Sequence, residues 1–357
     1  MGRMVCRRTV RIHYPVREGE RLGLRTDQDW DYDVPPTRVF EGGRTVEFEL
    51  TARRPFAYFR VYLASREETL WMPGANRLVL LDVPVPAEVH PFFRSSPDGC
   101  FEEPITIKST ELGRELSLRV YLPPGYVEAE RRRFPVVYMQ DGKNLFFPEE
   151  AFLGREWHVD DTVAKLDSMS VADPVIVVGI HAGDRKAEYT KPGYVKYARA
   201  LADEVKPLID DRYRTRPRPI DTAVMGSSLG GVVSFFMAWE HPHVFGYAAC
   251  MSSTFTFKDD LLERVLTEPK RDVTFYLDSG WPQDNYEVTL AMNAALLSRG
   301  YEQGRDLIHI AYPQAQHDEV HWGQRFHVPL QLWRSTARAR DVAALARREP
   351  MGRASER

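Results

Sequence analysis

Apolar and polar residues alternate along the first part of the chain. Val10, Ile12 and Tyr14 set the pattern, Val46, Phe48 and Leu50 repeat it, and Phe59, Val61 and Leu63 repeat it again. A period of two turns one face of a strand inward and the other outward. Glu41-Gly42-Gly43 and Pro73-Gly74 punctuate these runs as turns, and Leu78 to Leu81 adds a short apolar run. Short strands with regular turn signals predict an all-β sandwich over residues 1–100. The stretch 90–104, HPFFRSSPDGCFEEP, clusters Pro, Gly and Ser and reads as a linker whose backbone has few partners.

The rhythm then changes. Two β-like runs, Ile105 to Lys108 and Leu116 to Leu122, stop at Pro123-Pro124-Gly125. Unbroken apolar runs follow at Val136 to Met139, Val175 to Ile180, Thr222 to Met225, Val273 to Leu277 and Leu307 to Tyr312. Runs without alternation predict strands covered on both faces. Helix-length segments lie between them, among them Val195 to Ile209 and Glu287 to Ser298. Strand–helix alternation predicts an α/β fold, a mostly parallel sheet with helices on both faces, over residues 101–340. A polar, Arg-rich tail fills 341–357.

Charge and composition then remove some function classes. The 48 Lys and Arg nearly balance the 51 Asp and Glu, for a net charge of −3. That balance gives no electrostatic case for nucleic acid or for an anionic membrane surface as partner. No apolar stretch approaches the length of a transmembrane helix, and the first twenty residues contain no secretory apolar run. Cys6, Cys100 and Cys250 are sparse, odd in number and without metal-type spacing. The expectation is a cytoplasmic protein. The Arg131-Arg132-Arg133 run reads as a solvated loop before a strand.

The strongest chemical signal is Gly226-Ser227-Ser228-Leu229-Gly230, between the Thr222 to Met225 strand and a helical pattern over Val232 to Trp239. A serine on a tight strand-to-helix turn has its hydroxyl pushed out above the sheet. Gly226 and Gly230 leave room for the chain crossing, and the helix start behind Ser228 offers N–H groups to a developing oxyanion. Ser227 lies one position early. A serine nucleophile needs a base, and the base an orienting acid. His317 follows the last strand and the polar loop Pro313 to Gln316, where such a base belongs; His321 and His327 fall nearer or inside the final helix. For the acid, the candidates are Asp278, Asp284 and Glu287, all after the Val273 to Leu277 strand. Asp278 suits turn closure and Glu287 a helix start. Asp284 lies mid-loop with no local task and is the choice. The loop Gln140-Asp141-Gly142-Lys143-Asn144 follows the Val136 to Met139 strand, so the backbone N–H groups of Lys143 and Leu229 form the natural oxyanion pair.

In these segments the chain resembles the esterase-D / enterochelin-esterase-like family of α/β-hydrolases. The resemblance spans about residues 104–335 and rests on segments in the family's order. They are Phe134 to Phe146, Trp157 to Asp160, Pro174 to Ile180, Arg185 with Glu188-Tyr189-Thr190, Met225 to Gly231, and Gln316-His317-Asp318-Glu319 with Trp322. It implies a Ser–Asp/Glu–His hydrolase of a small-molecule ester, without metal or organic cofactor, and oxyanion donors at Lys143 and Leu229. It also implies an Arg185–Glu188 ion pair shaping the pocket, with Trp322 near it. Many relatives place the acid where this chain has Gln283, one position before Asp284. The segment Leu70 to Arg77 more faintly resembles starch- or glycogen-binding sandwich modules, which implies a glycan contact at Trp71. Trp71 packed inside the sandwich is the alternative. Acyl transfer to a sugar or other alcohol, and a glycan-binding protein with a vestigial hydrolase domain, are the competing functions. The oligomeric state is not written in any of these patterns.

Overall fold

The computed structural model describes residues 5–334. The tail at 341–357 lies outside the described residues.

The N-terminal part is two small sheets face to face. One has the order β3-β4-β1-β8, from β1 (Cys6–His13), β3 (Pro36–Phe40), β4 (Thr45–Ala52) and β8 (Ala87–Val89). The other joins β2 (Arg21–Thr26), β5 (Phe56–Ala64) and β6 (Thr69–Trp71), with β7 (Arg77–Leu80) also on β5. In the antiparallel β1–β4 pair Val10 faces Phe48 and Ile12 faces Val46. The period-two pattern puts these side chains on the inner face. There they meet Phe59, Val61 and Leu63 of the other sheet in one core.

The larger sheet has nine strands. Its path runs β10-β11-β13-β12-β14-β15-β16-β17, with β9 beside β11. The strands are β9 (Cys100–Phe101), β10 (Ile105–Ser109), β11 (Arg114–Leu122), β12 (Val136–Met139) and β13 (Ile176–Ile180). They continue with β14 (Thr222–Ser227), β15 (Tyr247–Met251), β16 (Thr274–Trp281) and β17 (Leu307–Pro313). From β13 to β17 every pairing is parallel, while β10 and β11 form an antiparallel entry. Val136 and Tyr138 belong to the core on one face, Val137 and Met139 to that on the other. That is why these strands read as unbroken apolar runs. With helices on both faces this is an α/β-hydrolase fold. β15 was not among the expected strands: Tyr-Ala-Ala-Cys-Met holds no β-branched residue.

The expected linker is not loose. The Glu128 carboxylate accepts N–H bonds from Phe93 at 3.0 Å and Arg94 at 2.7 Å, and hydroxyl bonds from Ser95 at 2.7 Å and Tyr14 at 2.8 Å. Cys100 and Phe101 already pair with the large sheet as β9. The sandwich also touches the end of helix Val159–Ser168. Ala75 donates to the Ser168 carbonyl at 2.7 Å, and a Cβ on Gly74 would come within 2.7 Å of that oxygen. Glu128 precedes β12 and Ser168 precedes β13. These contacts therefore lie at the amino ends of the parallel strands. Among the described residues no helix is long and apolar enough to cross a membrane.

Candidate active site

Ser228 sits between β14 and the helix Leu229–Glu240 with φ 55° and ψ −123°. A serine at positive φ is strained, and a surrounding structure that fixes it there aims the side chain. The crossing is tight. A Cβ on Gly226 would lie 2.6 Å from the Gly230 carbonyl carbon, and one on Gly231 would lie 2.1 Å from Ser253 Oγ. Only glycine fits such approaches. Leu229 opens the helix, so its N–H is among those without an intrahelical acceptor.

The structure brings Ser228, His317 and Asp284 together. His317 Nε2 lies 3.0 Å from Ser228 Oγ, and Nδ1 lies 2.7 Å from Asp284 Oδ1. With Nδ1–H donating to the carboxylate, Nε2 is left to accept the serine proton. The Asp284 side chain is fully buried. Burial alone pushes its pKa up. The bonds it accepts from His317, Ser252 Oγ (2.5 Å), Gly280 N–H (2.6 Å) and Asn285 N–H (2.9 Å) outweigh that and hold it well below the ordinary carboxylate value.

Ser252, directly after β15, is the junction beneath this relay. It donates to Asp284, accepts from the Trp322 indole N–H at 3.0 Å and from Arg325, and receives Asn285 Nδ2 on its carbonyl at 2.7 Å. Asp278 has a different task from the turn closure expected of it. It is fully buried at the end of this network, 3.0 Å from Arg325, and accepts the Tyr276 hydroxyl at 2.8 Å. Glu287 is exposed in the first turn of helix Tyr286–Ser298, as a helix start requires.

The loop expected to supply an oxyanion donor is set by Asp141, which takes the left-handed conformation (φ 55°, ψ 48°) before the short 3₁₀ turn Gly142–Asn144. Lys143 is the middle residue of that turn. Arg185 holds Asp141 through two bonds of 2.8 and 3.0 Å. The expected Arg185–Glu188 pair is therefore absent. Glu188 instead binds Arg114 through bonds of 2.5 and 2.7 Å. The five-residue helix Arg185–Tyr189 sends the two side chains to partners on different strands and loops, and each gains a two-bond carboxylate–guanidinium contact.

A cleft of about 460 Å³ opens over Ser228. Arg185, His317 and Trp322 line it, as do Asp141, Asn144 and Glu319. Trp322 stands edge-on to the His317 ring with centroids 4.8 Å apart, so its main contact is with the base. Phe152, Leu153 and Arg155 also line the cleft, and sequence reasoning missed them. Phe152 is 66 % and Leu153 75 % exposed. Two apolar residues in a turn give no periodic signal, and only a third dimension puts them over Ser228. Asn144 ties this rim together: it accepts the Phe152 N–H at 3.0 Å and donates to Glu319 at 3.0 Å. Glu319 also accepts the Trp157 indole N–H, and burial raises its pKa. Among the described residues, none from the sandwich lines the cleft. Trp71 is neither in the cleft nor in the sandwich core. It lies 37 % exposed on the outer face of its sheet, against Tyr62 and between Arg25 and Arg60. Among the described residues no group of three or more His, Cys, Asp or Glu could hold a metal ion.

Residues 109–333 match the family described as "Putative esterase". A curated relative, uncharacterized protein YjcH of Bacillus subtilis, is 33% identical over 143 residues, which span 39% of this chain and 55% of that protein. The chain is thus matched to about half the length of this relative. Two solved structures share the fold. An enterobactin esterase from Shigella flexneri aligns over 93% of this chain and 94% of its own, at 15% identity and TM-score 0.57. A ferulic acid esterase aligns over 66% of this chain and 99% of its own, at 19% identity and TM-score 0.56.

Proposed function

Because the chain belongs to this esterase family, we propose that it is a carboxylic-ester hydrolase working through an acyl intermediate on Ser228. The observation that carries the reading is the continuous relay from Asp284 through His317 to Ser228, at 2.7 and 3.0 Å. Ser228 Oγ attacks the ester carbonyl while His317 Nε2 takes its proton. The oxyanion that forms accepts the Leu229 and Lys143 N–H groups. His317 then returns the proton to the leaving alcohol, and a water activated by the same nitrogen releases the acid. Asp284 keeps the imidazole in the accepting tautomer and stabilises the imidazolium.

The substrate is a small-molecule ester of siderophore or carbohydrate type. Its apolar body rests on Phe152 and Leu153, and a polar or anionic group meets Arg155. Solved neighbours named for ferulic acid and for enterobactin support an aromatic body. The exposed rim leaves water within reach of the acyl-enzyme, which favours hydrolysis over transfer to an alcohol. A fluorophosphonate probe should label the wild type, and Ser228→Ala should lose labelling together with turnover of p-nitrophenyl acetate, feruloyl esters and a catecholate siderophore. Turnover that survives in Ser228→Ala, or a label on Ser227, defeats the reading.

A further inference from the structure

The Arg131-Arg132-Arg133 run is the expected loop before β12, with Arg131 and Arg133 exposed. It forms one wall of a hollow of about 440 Å³ with Arg216, Pro217, Arg218 and His90. Five arginines line it and, among the described residues, no carboxylate does. Their placement is rigid. Phe134 pairs with Thr215 as a parallel bridge, and backbone bonds of 2.8 Å run from Phe134 N–H to Arg214 and from Arg216 N–H to Phe134. Chain entering β12 is thereby locked beside chain entering β14, and the two arginine runs must converge.

Three of the five have carboxylate partners. Arg131 pairs with Glu41 at the rim. Buried Asp221 is shared among Arg218 at 2.6 Å, Arg334 at 3.4 Å and Arg216 at 3.7 Å. Among the described residues Arg133 donates only to the Thr215 carbonyl, at 3.2 Å. Arg132 lies half-buried over the Phe134 ring at 5.0 Å, with no carboxylate in contact among the described residues. The positive field reaches His90, stacked on His13 with centroids 4.8 Å apart. Burial first, then Arg132, His13 and Arg216, push its pKa down to about 3. Among the described residues no acidic side chain enters this wall, and Asp173 and Asp167 act on Arg132 from outside it.

We propose that the hollow binds a multiply charged phosphate, at the end of the sheet opposite the catalytic cleft. Guanidinium groups suit phosphate because their planar N–H pairs match two oxygens at once. The hollow is open and shallow, and its volume is that of a small ligand rather than of a duplex or a bilayer, each of which needs a broad surface. Arg132 and Arg133, without a carboxylate partner among the described residues, are the groups an anion satisfies most directly.

The test is calorimetric titration of the full chain with pyrophosphate and with ADP, at ionic strength fixed by KCl. Pyrophosphate probes the inorganic source of the diphosphate and ADP the nucleotide source; saturable one-to-one binding of either supports the site. Arg132→Gln/Arg133→Gln breaks no ion pair and should weaken that binding at least tenfold while p-nitrophenyl ester turnover stays unchanged. Arg133→Gln alone, at an exposed position, serves if the double variant fails to fold, and should weaken binding at least threefold. The proposal is overturned if neither ligand saturates the wild type by 10 mM. It is equally overturned if a folded variant binds within twofold of wild type, or if KCl alone displaces the ligand completely at 0.15 M.

Discussion

Asp284→Asn changes one atom of the relay and almost no volume, and the surroundings decide what that atom does. The carboxylate faces only donors: His317 and Asn285 N–H on Oδ1, Ser252 and Gly280 N–H on Oδ2. An amide NH₂ placed at Oδ2 meets the Gly280 N–H, which cannot turn away, and a Ser252 oxygen already occupied by Trp322 and Arg325. Placed at Oδ1 it meets the Asn285 N–H and His317 Nδ1, and the imidazole can adapt by moving its proton to Nε2. The second arrangement costs one buried N–H its acceptor, about 1–3 kcal/mol of stability. It also points an N–H at Ser228 Oγ, so the base can no longer take the serine proton. In triads of this kind a wrong tautomer lowers kcat by about 10⁴, equivalent to about 5 kcal/mol of transition-state stabilisation. Substrate contacts are untouched, so KM should stay within about threefold, a change worth less than 1 kcal/mol. Steady-state hydrolysis of p-nitrophenyl acetate and urea denaturation measure the two effects separately. A folded Asp284→Asn enzyme with kcat within tenfold of wild type refutes the reasoning, and a collapse in Asp278→Asn with its fold intact would move the acid to Asp278.

Two further substitutions test parts of the same account. Ser252→Ala removes a donor to Asp284 and the acceptor of both Trp322 and Arg325, so stability should fall by about 2–4 kcal/mol in urea titration, and kcat by about tenfold, because Gly280 and Asn285 still hold the carboxylate. Trp71→Ala should leave kcat/KM for p-nitrophenyl acetate unchanged, since no described residue of the sandwich lines the cleft; a tenfold loss would mean that the sandwich reaches the substrate.

Some of this was legible because its causes are local. The elbow declares itself through glycines whose missing Cβ atoms are required within five residues of Ser228. His317 declares itself by following the last strand. In the sequence Asp284 reads as the residue with no local task; it does bind the neighbouring Gly280 and Asn285 N–H groups, but its side-chain partners are remote: Ser252 is 32 positions earlier and His317 33 later. What was misread has its cause at a distance. Arg185 and Glu188 stand three apart, a spacing at which helix neighbours pair, yet Asp141 and Arg114 are better placed for them. β15 hides because Ala, Ala and Cys carry no strand preference, and with it hides Ser252, which shares in holding Asp284 and joins it to Trp322 and Arg325.

Chain order also separates two kinds of work on one sheet. Loops leaving the carboxyl ends of β12, β14, β16 and β17 carry Asp141, Ser228, Asp284 and His317, the end where open parallel sheets collect ligands. Chain entering β12, β13 and β14 carries Glu128, Ser168 and the two arginine runs, and there the sandwich docks. A β-sandwich resembling a glycan-binding module invites a role in presenting substrate to Ser228. Its contacts at the amino ends remove the direct form of that role. An influence of the sandwich or of the arginine hollow on catalysis must then pass along the strands, through shifts in elements such as β12 and β14 that the core covers on both faces. Close-packed strands of that kind resist continuous deformation. The simplest consequence is that the two ends act independently, with ester turnover indifferent to what occupies the hollow.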